Sequence, residues 1–210
     1  MSDHERAVAL DSPWAGGGSP FAMGSKKLGM WLFIISDALT FTVMLMAYSF
    51  SRVSNPNWPT PFPIYPAVIF STTMTVVLLG SSLTMVMGVA AAHRNDRPAA
   101  VKWILATMAG GAIFCGLHLY EWLHLIHEEH VSLFSNPWNV PLFGATFFGI
   151  TGLHMTHVTL GVLYLGVIAF GFGRGKFNSE DVEVSGLYWH FVDLVWMFVF
   201  PMIYLMSVKY

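Results

Sequence analysis

"GLYWHFVDLVWMFVFPMIYLM", Gly186 to Met206, is apolar enough to lie in lipid, yet it carries His190 and Asp193 inside it. A run of about 20 apolar residues crosses the hydrocarbon of a bilayer as a helix. Polar groups within such a run must be satisfied by the protein, because no bulk water reaches them. The rest of the chain has the same character. Of its 210 residues, 55% are hydrophobic and 10% charged, whereas a soluble domain carries about a quarter charged residues. Composition therefore predicts an integral membrane protein. A formal net charge of -2 gives no sign of a nucleic-acid partner. The one cysteine, Cys115, lies in an apolar run and can form no intrachain disulfide. The opening residues are polar and Gly/Pro-rich ("DSPWAGGGSPF", 11–21). They lack the basic stretch and apolar core of a cleavable signal, so 1–24 is expected to be a flexible tail.

Working back from the last span, hydropathy predicts an all-α bundle of five transmembrane helices, at approximately 27–50, 66–92, 99–126, 142–171 and 186–208, within a single domain over 25–210. The breaks are well marked. "SNPNWPTPFPIYP" (54–66) holds five prolines and cannot continue a helix. "HRNDRP" (93–98) reads as a charged hairpin, "HEEHVSLFSNPWNVP" (127–141) as a polar loop, and "GFGRGKFNSEDVEVSG" (171–186) as a loop rich in glycine and charge. Arg6, Lys26, Lys27, Arg94, Arg97, Lys102, Arg174 and Lys176 then fall on one side of the membrane, and only Arg52 and Lys209 on the other. That imbalance predicts a cytoplasmic N-terminus and an external C-terminus. Gly80, Thr84, Gly88 and Ala92 recur every fourth residue along the second span, and Ala145 and Gly149 begin a similar row on the fourth, where a neighbouring helix can approach closely.

Ionisable residues inside spans mark the candidate site. Asp37 lies about a third of the way into the first span, with Ser36 and Thr40 nearby and no histidine at helical spacing. His190 and Asp193 are three apart, as are His118 and Glu121, and His154 and His157, so each pair projects from one helix face. An aspartate in low dielectric either finds a donor or takes a proton. Two readings of His190–Asp193 stay open: a local hydrogen-bonded clamp fixing the last helix, or a role in handling protons or ordering water, for which Asp37 is the better placed residue. Glu121-x-x-His124 has the spacing of a di-iron ligand motif, but such sites need two of these motifs and two further glutamates, and no second one is present. The chain is expected to hold no redox centre and no metal.

Four stretches, in order, resemble one family. "YWHFVDLVWMFVFPMIY" (188–204) is similar to the last helix of subunit III of haem-copper terminal oxidases, the cytochrome c oxidase type, with its YWHFVD-x-VW pattern. "KLGMWLFIISDALTF" (27–41) resembles that family's GMW-x-F-x-x-SE segment, "GATFFGITGLHMTHVTLG" (144–161) its G-x-TFF-x-x-TG-H-x-x-HV-x-x-G helix, and "LYEWLH" (119–124) its Glu-aromatic pair. The resemblance runs from Lys26 nearly to the end of the chain. Longer members have seven helices, and this chain would be a short form lacking the first two. Asp37 stands where the family usually has Glu, the carboxylate that carbodiimides modify.

The resemblance implies a non-redox, non-catalytic subunit of a proton-translocating oxidase of aerobic electron transport, multi-pass in the prokaryotic plasma membrane. It would pack on subunit I and other oxidase subunits, bind phospholipid and sustain proton uptake and stability during turnover. Haem and copper would belong to partner subunits. Carried over, the residues of interest are Asp37, Glu121, His190 and Asp193 as intramembrane polar groups. His157, Trp189 and Trp196 would be interface or lipid contacts, the tryptophans reading equally as lipid-facing aromatics. Three other functions stay open on sequence: an accessory subunit of a quinol oxidase or nitric oxide reductase, a small proton or ion transporter using Asp37 and Asp193, and a membrane metalloenzyme using the His118–His130 region.

Overall fold

A computed structural model describes residues 24–209. The tail expected over 1–24 lies outside the described residues except for Gly24. Five helices are long and apolar enough to cross a membrane. They are α1 (Ser25–Ser54), α2 (Ile69–His93, entered through a π-turn at Ile64–Val68), α3 (Arg97–His127), α4 (Pro141–Gly173) and α5 (Ser179–Val199, continued by a π-turn at Phe200–Tyr204 and a 3-10 turn at Leu205–Ser207). The helices alternate in direction. One end of the bundle carries the start of α1 and the α2–α3 and α4–α5 turns, and is called here the N-terminal face. The opposite, C-terminal face carries loops 55–63 and 128–140 and the end of the chain.

Short-range chemistry sets the turns of the N-terminal face. After α2, Asn95 adopts a left-handed conformation (φ 58°). The Asn95 N–H donates to Ala92 O (3.1 Å) and the Asp96 N–H to Ala91 O (3.0 Å), which closes the orphan carbonyls of a helix end in the Schellman pattern. Asp96 then caps α3 by accepting from the Ala99 N–H at 3.2 Å, with Pro98 in the first turn, where its missing N–H costs nothing. The α4 end repeats the motif with Gly175 at φ 73°, the Lys176 N–H reaching Gly171 O at 2.9 Å and the Gly175 N–H reaching Phe172 O at 3.0 Å.

The last helix begins earlier than hydropathy suggested, at Ser179 instead of about 186. The reason is a capping box: the Asn178 side chain accepts from the Asp181 N–H (3.1 Å) and the Asp181 carboxylate from the Asn178 N–H (3.0 Å). The acidic residues that read as loop are neutralised across space, Asp181 by Lys26 at 2.6 Å and Glu183 by Lys27 at 2.5 Å. At the other end Pro201 has no N–H to give the helix ladder, and α5 widens into the π-turn there.

α2 and α3 form the most intimate pair, with α4 and α5 completing a four-helix core. α1 lies outside against α4 and α5 and buries only the stripe Ile34, Phe41, Leu45 and Tyr48. The expected small-residue row on α2 is used in part: Gly88 and Ala92 are buried while Gly80 is exposed. At the C-terminal face Phe62–Pro63 pairs in parallel with Val208–Lys209, tying the end of the chain to the proline-rich loop.

Candidate functional site

Two of the residues singled out from sequence meet across helices. Asp37 Oδ1 on α1 lies 3.3 Å from His157 Nε2 on α4, and their side chains are 12% and 14% exposed. The other ring nitrogen, Nδ1, lies 2.9 Å from Leu153 O. A carbonyl can only accept, so Nδ1 carries a proton and Nε2 is the nitrogen that faces Asp37. A hydrogen bond between Nε2 and Oδ1 therefore contains one proton, held either as COOH···N or as COO⁻···H–N⁺. In both forms the pair is neutral overall, the condition a low-dielectric site favours. The Tyr188 hydroxyl donates to His157 O at 2.9 Å, tying α5 to the same turn of α4. Asp37 Oδ2 is buried with no partner among the described residues.

Glu121 on α3 forms the second node. Tyr204, just past α5, donates its hydroxyl to Oε2 at 2.6 Å, and Ser71 Oγ on α2 lies 2.8 Å from Oε1. Ser71 Oγ is also 3.0 Å from Ala67 O. It has one proton for two acceptors, so Glu121 either receives that proton or supplies its own to the serine oxygen. His118 Nδ1 stands 4.0 Å from Oε2, beyond hydrogen-bond range. Glu121 also borders an apolar cleft of about 440 Å³ between the start of α2 and the end of α3, whose rim holds His124 and Glu129.

The His190–Asp193 clamp is not formed. His190 Nδ1 lies 2.8 Å from Ser82 Oγ on α2, and Asp193 Oδ1 is buried without a partner among the described residues. Helical spacing put both side chains on one face, but the ring swings to a hydroxyl on the facing helix. The tryptophans correct a second expectation. Trp189 and Trp196 are both 0% exposed, so they touch neither lipid nor a partner chain. Each donates its indole N–H to an α2 hydroxyl, Trp189 to Ser81 (3.1 Å) and Trp196 to Thr75 (2.9 Å). A Cβ added at Gly111 would come within 2.4 Å of the Trp189 ring, so that glycine provides the slot for it. Seven residues apart on α5 and six apart on α2, these pairs make the α2–α5 seam a row of hydrogen bonds from Ser82 to Thr75.

Serine, threonine and Tyr204 are the partners that sequence reasoning missed. Ser and Thr are common in membrane helices and usually bond to their own backbone, as Thr72 and Thr73 do here, so nothing local separates the cross-linking ones. His118 and His154, seen in the sequence only as members of i, i+3 pairs, are fully buried beside Trp196. Among the described residues no three His, Cys, Asp or Glu side chains converge on a point suited to a metal ion. A second cleft, about 460 Å³ and apolar, opens between α1 and α5 beside Phe41, Leu45 and Phe198.

The family model for "Cytochrome c oxidase subunit III" matches residues 1–208. The chain belongs to the cytochrome c oxidase subunit III family. Among relatives of this family, a "Cytochrome c oxidase subunit 3" of Alkalihalophilus pseudofirmus is 30% identical over 88% of this chain and 88% of its own length. One of the same name from Thermostichus vulcanus is 32% identical over 87% and 88%. A "Quinol oxidase subunit 3" of Bacillus subtilis is 30% identical over 86% of each chain. Subunit III relatives thus include members named for both cytochrome c and quinol oxidases, and the match covers all five spans of this chain.

Proposed function

We propose that this chain is the non-redox accessory subunit of a haem-copper oxidase in a prokaryotic plasma membrane. It packs on subunit I, binds phospholipid, and sustains proton uptake and turnover stability through the Asp37–His157 pair. The observation that carries the proposal is that pair itself: a carboxyl and an imidazole at 3.3 Å, placed to share one proton, with the carboxyl on the helix least covered by the rest of the bundle. A purely structural tie between two transmembrane helices needs no ionisable group, and a hydroxyl would serve. A group that takes and releases a proton within the membrane needs one.

The orientation follows from charge. Among the described residues Lys26, Lys27, Arg94, Arg97, Lys102, Arg174 and Lys176 sit at the N-terminal face, which the positive-inside rule assigns to the cytoplasm. The uptake side and Asp37 then share a half of the membrane. The apolar α1–α5 cleft has the size and lining for a lipid acyl chain. Exposed apolar side chains along α1, such as Leu32, Ile35, Leu39 and Val43, provide a face for lipid or the neighbouring subunit. Haem and copper are assigned to the partner subunits. A quinol-oxidising complex is the second reading, supported by relatives named as quinol oxidase subunits; the electron donor would dock on other subunits in either case.

Affinity capture of the chain from its own membranes tests the assignment. A large haem- and copper-containing subunit is expected in stoichiometric amount, with cytochrome c or quinol oxidation by the captured material separating the two readings. Capture of the chain alone, carrying its own haem, would overturn the proposal.

A further inference from the structure

Four buried nitrogens are unexplained by the contacts above. Nδ1 and Nε2 of His118 and of His154 have no hydrogen-bond partner among the described residues, although the residues are 0% and 1% exposed. The Trp122 indole N–H, beside His118, is in the same condition. A neutral imidazole always has one donor and one acceptor to satisfy, and leaving them unmade in the interior costs more than ordering a water molecule. The rings surround a common neighbourhood: His154 stacks on Trp196 at 5.0 Å, His118 meets the edge of the same indole at 5.4 Å, and Phe114 contacts both at 5.7–5.8 Å.

Their depths form a series. Counting along each helix from the C-terminal face at about 1.5 Å per residue, Glu121 lies about 9 Å in, His118 about 14 Å, His154 about 20 Å, and His157 and Asp37 about 24–26 Å. Consecutive members adjoin: His118 is an i, i+3 neighbour of Glu121 at 4.0 Å, His118 and His154 share Trp196 and Phe114, His154 and His157 share Phe41, and His157 meets Asp37. The upper end opens to the cleft beside Glu121.

We propose that His118 and His154 bind internal water molecules, and that these waters join Glu121 to the Asp37–His157 pair as a hydrated proton-exchange chain through the bundle. At His118 and His154 a water that has taken a proton from its neighbour delivers it to the unprotonated nitrogen while the other nitrogen releases its own to the next water, and the ring then turns to restore its first tautomer. The chain ends at Asp37 Oδ2, since both nitrogens of His157 are engaged by Leu153 O and Asp37. Its purpose rests on the proton role proposed for Asp37; its existence does not.

Two measurements on the native complex test it without using turnover. A density map that resolves ordered solvent should place water at hydrogen-bonding distance from at least one ring nitrogen of His118 and of His154. In water-edited solid-state NMR of the complex with ¹⁵N-labelled histidine, both rings should receive magnetisation from water directly, and His154→Phe should cause loss of the transfer to His157. Rings packed only against protein carbon, with transfer as slow as to a core phenylalanine, would overturn the proposal. The wild-type result decides this even if the variant fails to fold. Water present alongside normal turnover in Asp37→Asn would leave the chain of waters standing and sink the functional reading of Asp37 alone.

Discussion

Asp37 and His157 illustrate what a sequence hides at the scale of a residue. Their side chains meet, yet they are 120 positions apart on α1 and α4. Spacing along one helix identifies neighbours on that helix only, so Asp37 read as an aspartate with no histidine near it. His190 failed in the opposite sense: the spacing to Asp193 is right, but a Ser82 hydroxyl on α2 competes for the ring. The two histidine readings make separable predictions. A His190–Asp193 clamp would make either substitution costly. The observed geometry predicts instead that His190→Ala lowers the stability of the solubilised protein by about 1 kcal/mol, the usual worth of an interhelical hydrogen bond in a membrane. Asp193→Asn should be neutral or stabilising, since the amide keeps the size of the side chain and cannot ionise at a site where one carboxyl oxygen has no partner among the described residues. Thermal inactivation midpoints of the two variants settle this, and equal losses would restore the clamp. Trp189→Phe should keep the aromatic packing but lose the bond to Ser81, again at a cost of about 1 kcal/mol. A wild-type midpoint for Trp189→Phe would show that the indole N–H contributes nothing.

Five elements were legible because length and hydropathy dictate them; their rotation about their own axes was not. All-round apolar helices carry little directional signal, so the buried face of α3 or α4 emerges only from what packs on it. The small-residue row on α2 was half informative: Gly88 meets α3 and Ala92 is buried, whereas Gly80 faces outward. Gly111 on α3, which has no room for a Cβ, belonged to no row. It lies against the six-membered ring of Trp189, with Val162 alongside, which leaves no space for a branched side chain. Gly111→Val should therefore cost about 1–3 kcal/mol through overpacking and reduce the yield of assembled complex. Gly80→Val, in open space, should leave both unchanged. Equal yields for the two variants would refute this account of the α3–α5 contact. The start of α5 was misplaced for a related reason: Asp181 and Glu183 look like loop residues until Lys26 and Lys27 are brought beside them.

For the whole molecule, α1 is attached at three heights and lightly packed in between. The lysine pairs hold it at the N-terminal face, Asp37–His157 at mid-depth, and Tyr48 and Arg52 hold the Ser207 hydroxyl at the C-terminal face, with Arg52 also donating to Met206 O. The lysines stand at the water-facing end of the bundle, where salt screens their pairs, so Lys26→Ala with Lys27→Ala should lower the thermal midpoint less than loss of the mid-depth pair, which lies out of reach of screening ions. The family was readable from ordered motifs; the contact between Asp37 and His157 needed three dimensions. The central claim is that Asp37 and His157 act as one proton-sharing unit in service of the oxidase. A double-mutant cycle on proton uptake by the intact complex tests it most directly, comparing wild type, Asp37→Asn, His157→Gln and the two combined. The account predicts that each single substitution slows uptake and that the double variant is no slower than the worse single. Losses that simply add, or uptake unchanged in all three, would contradict it.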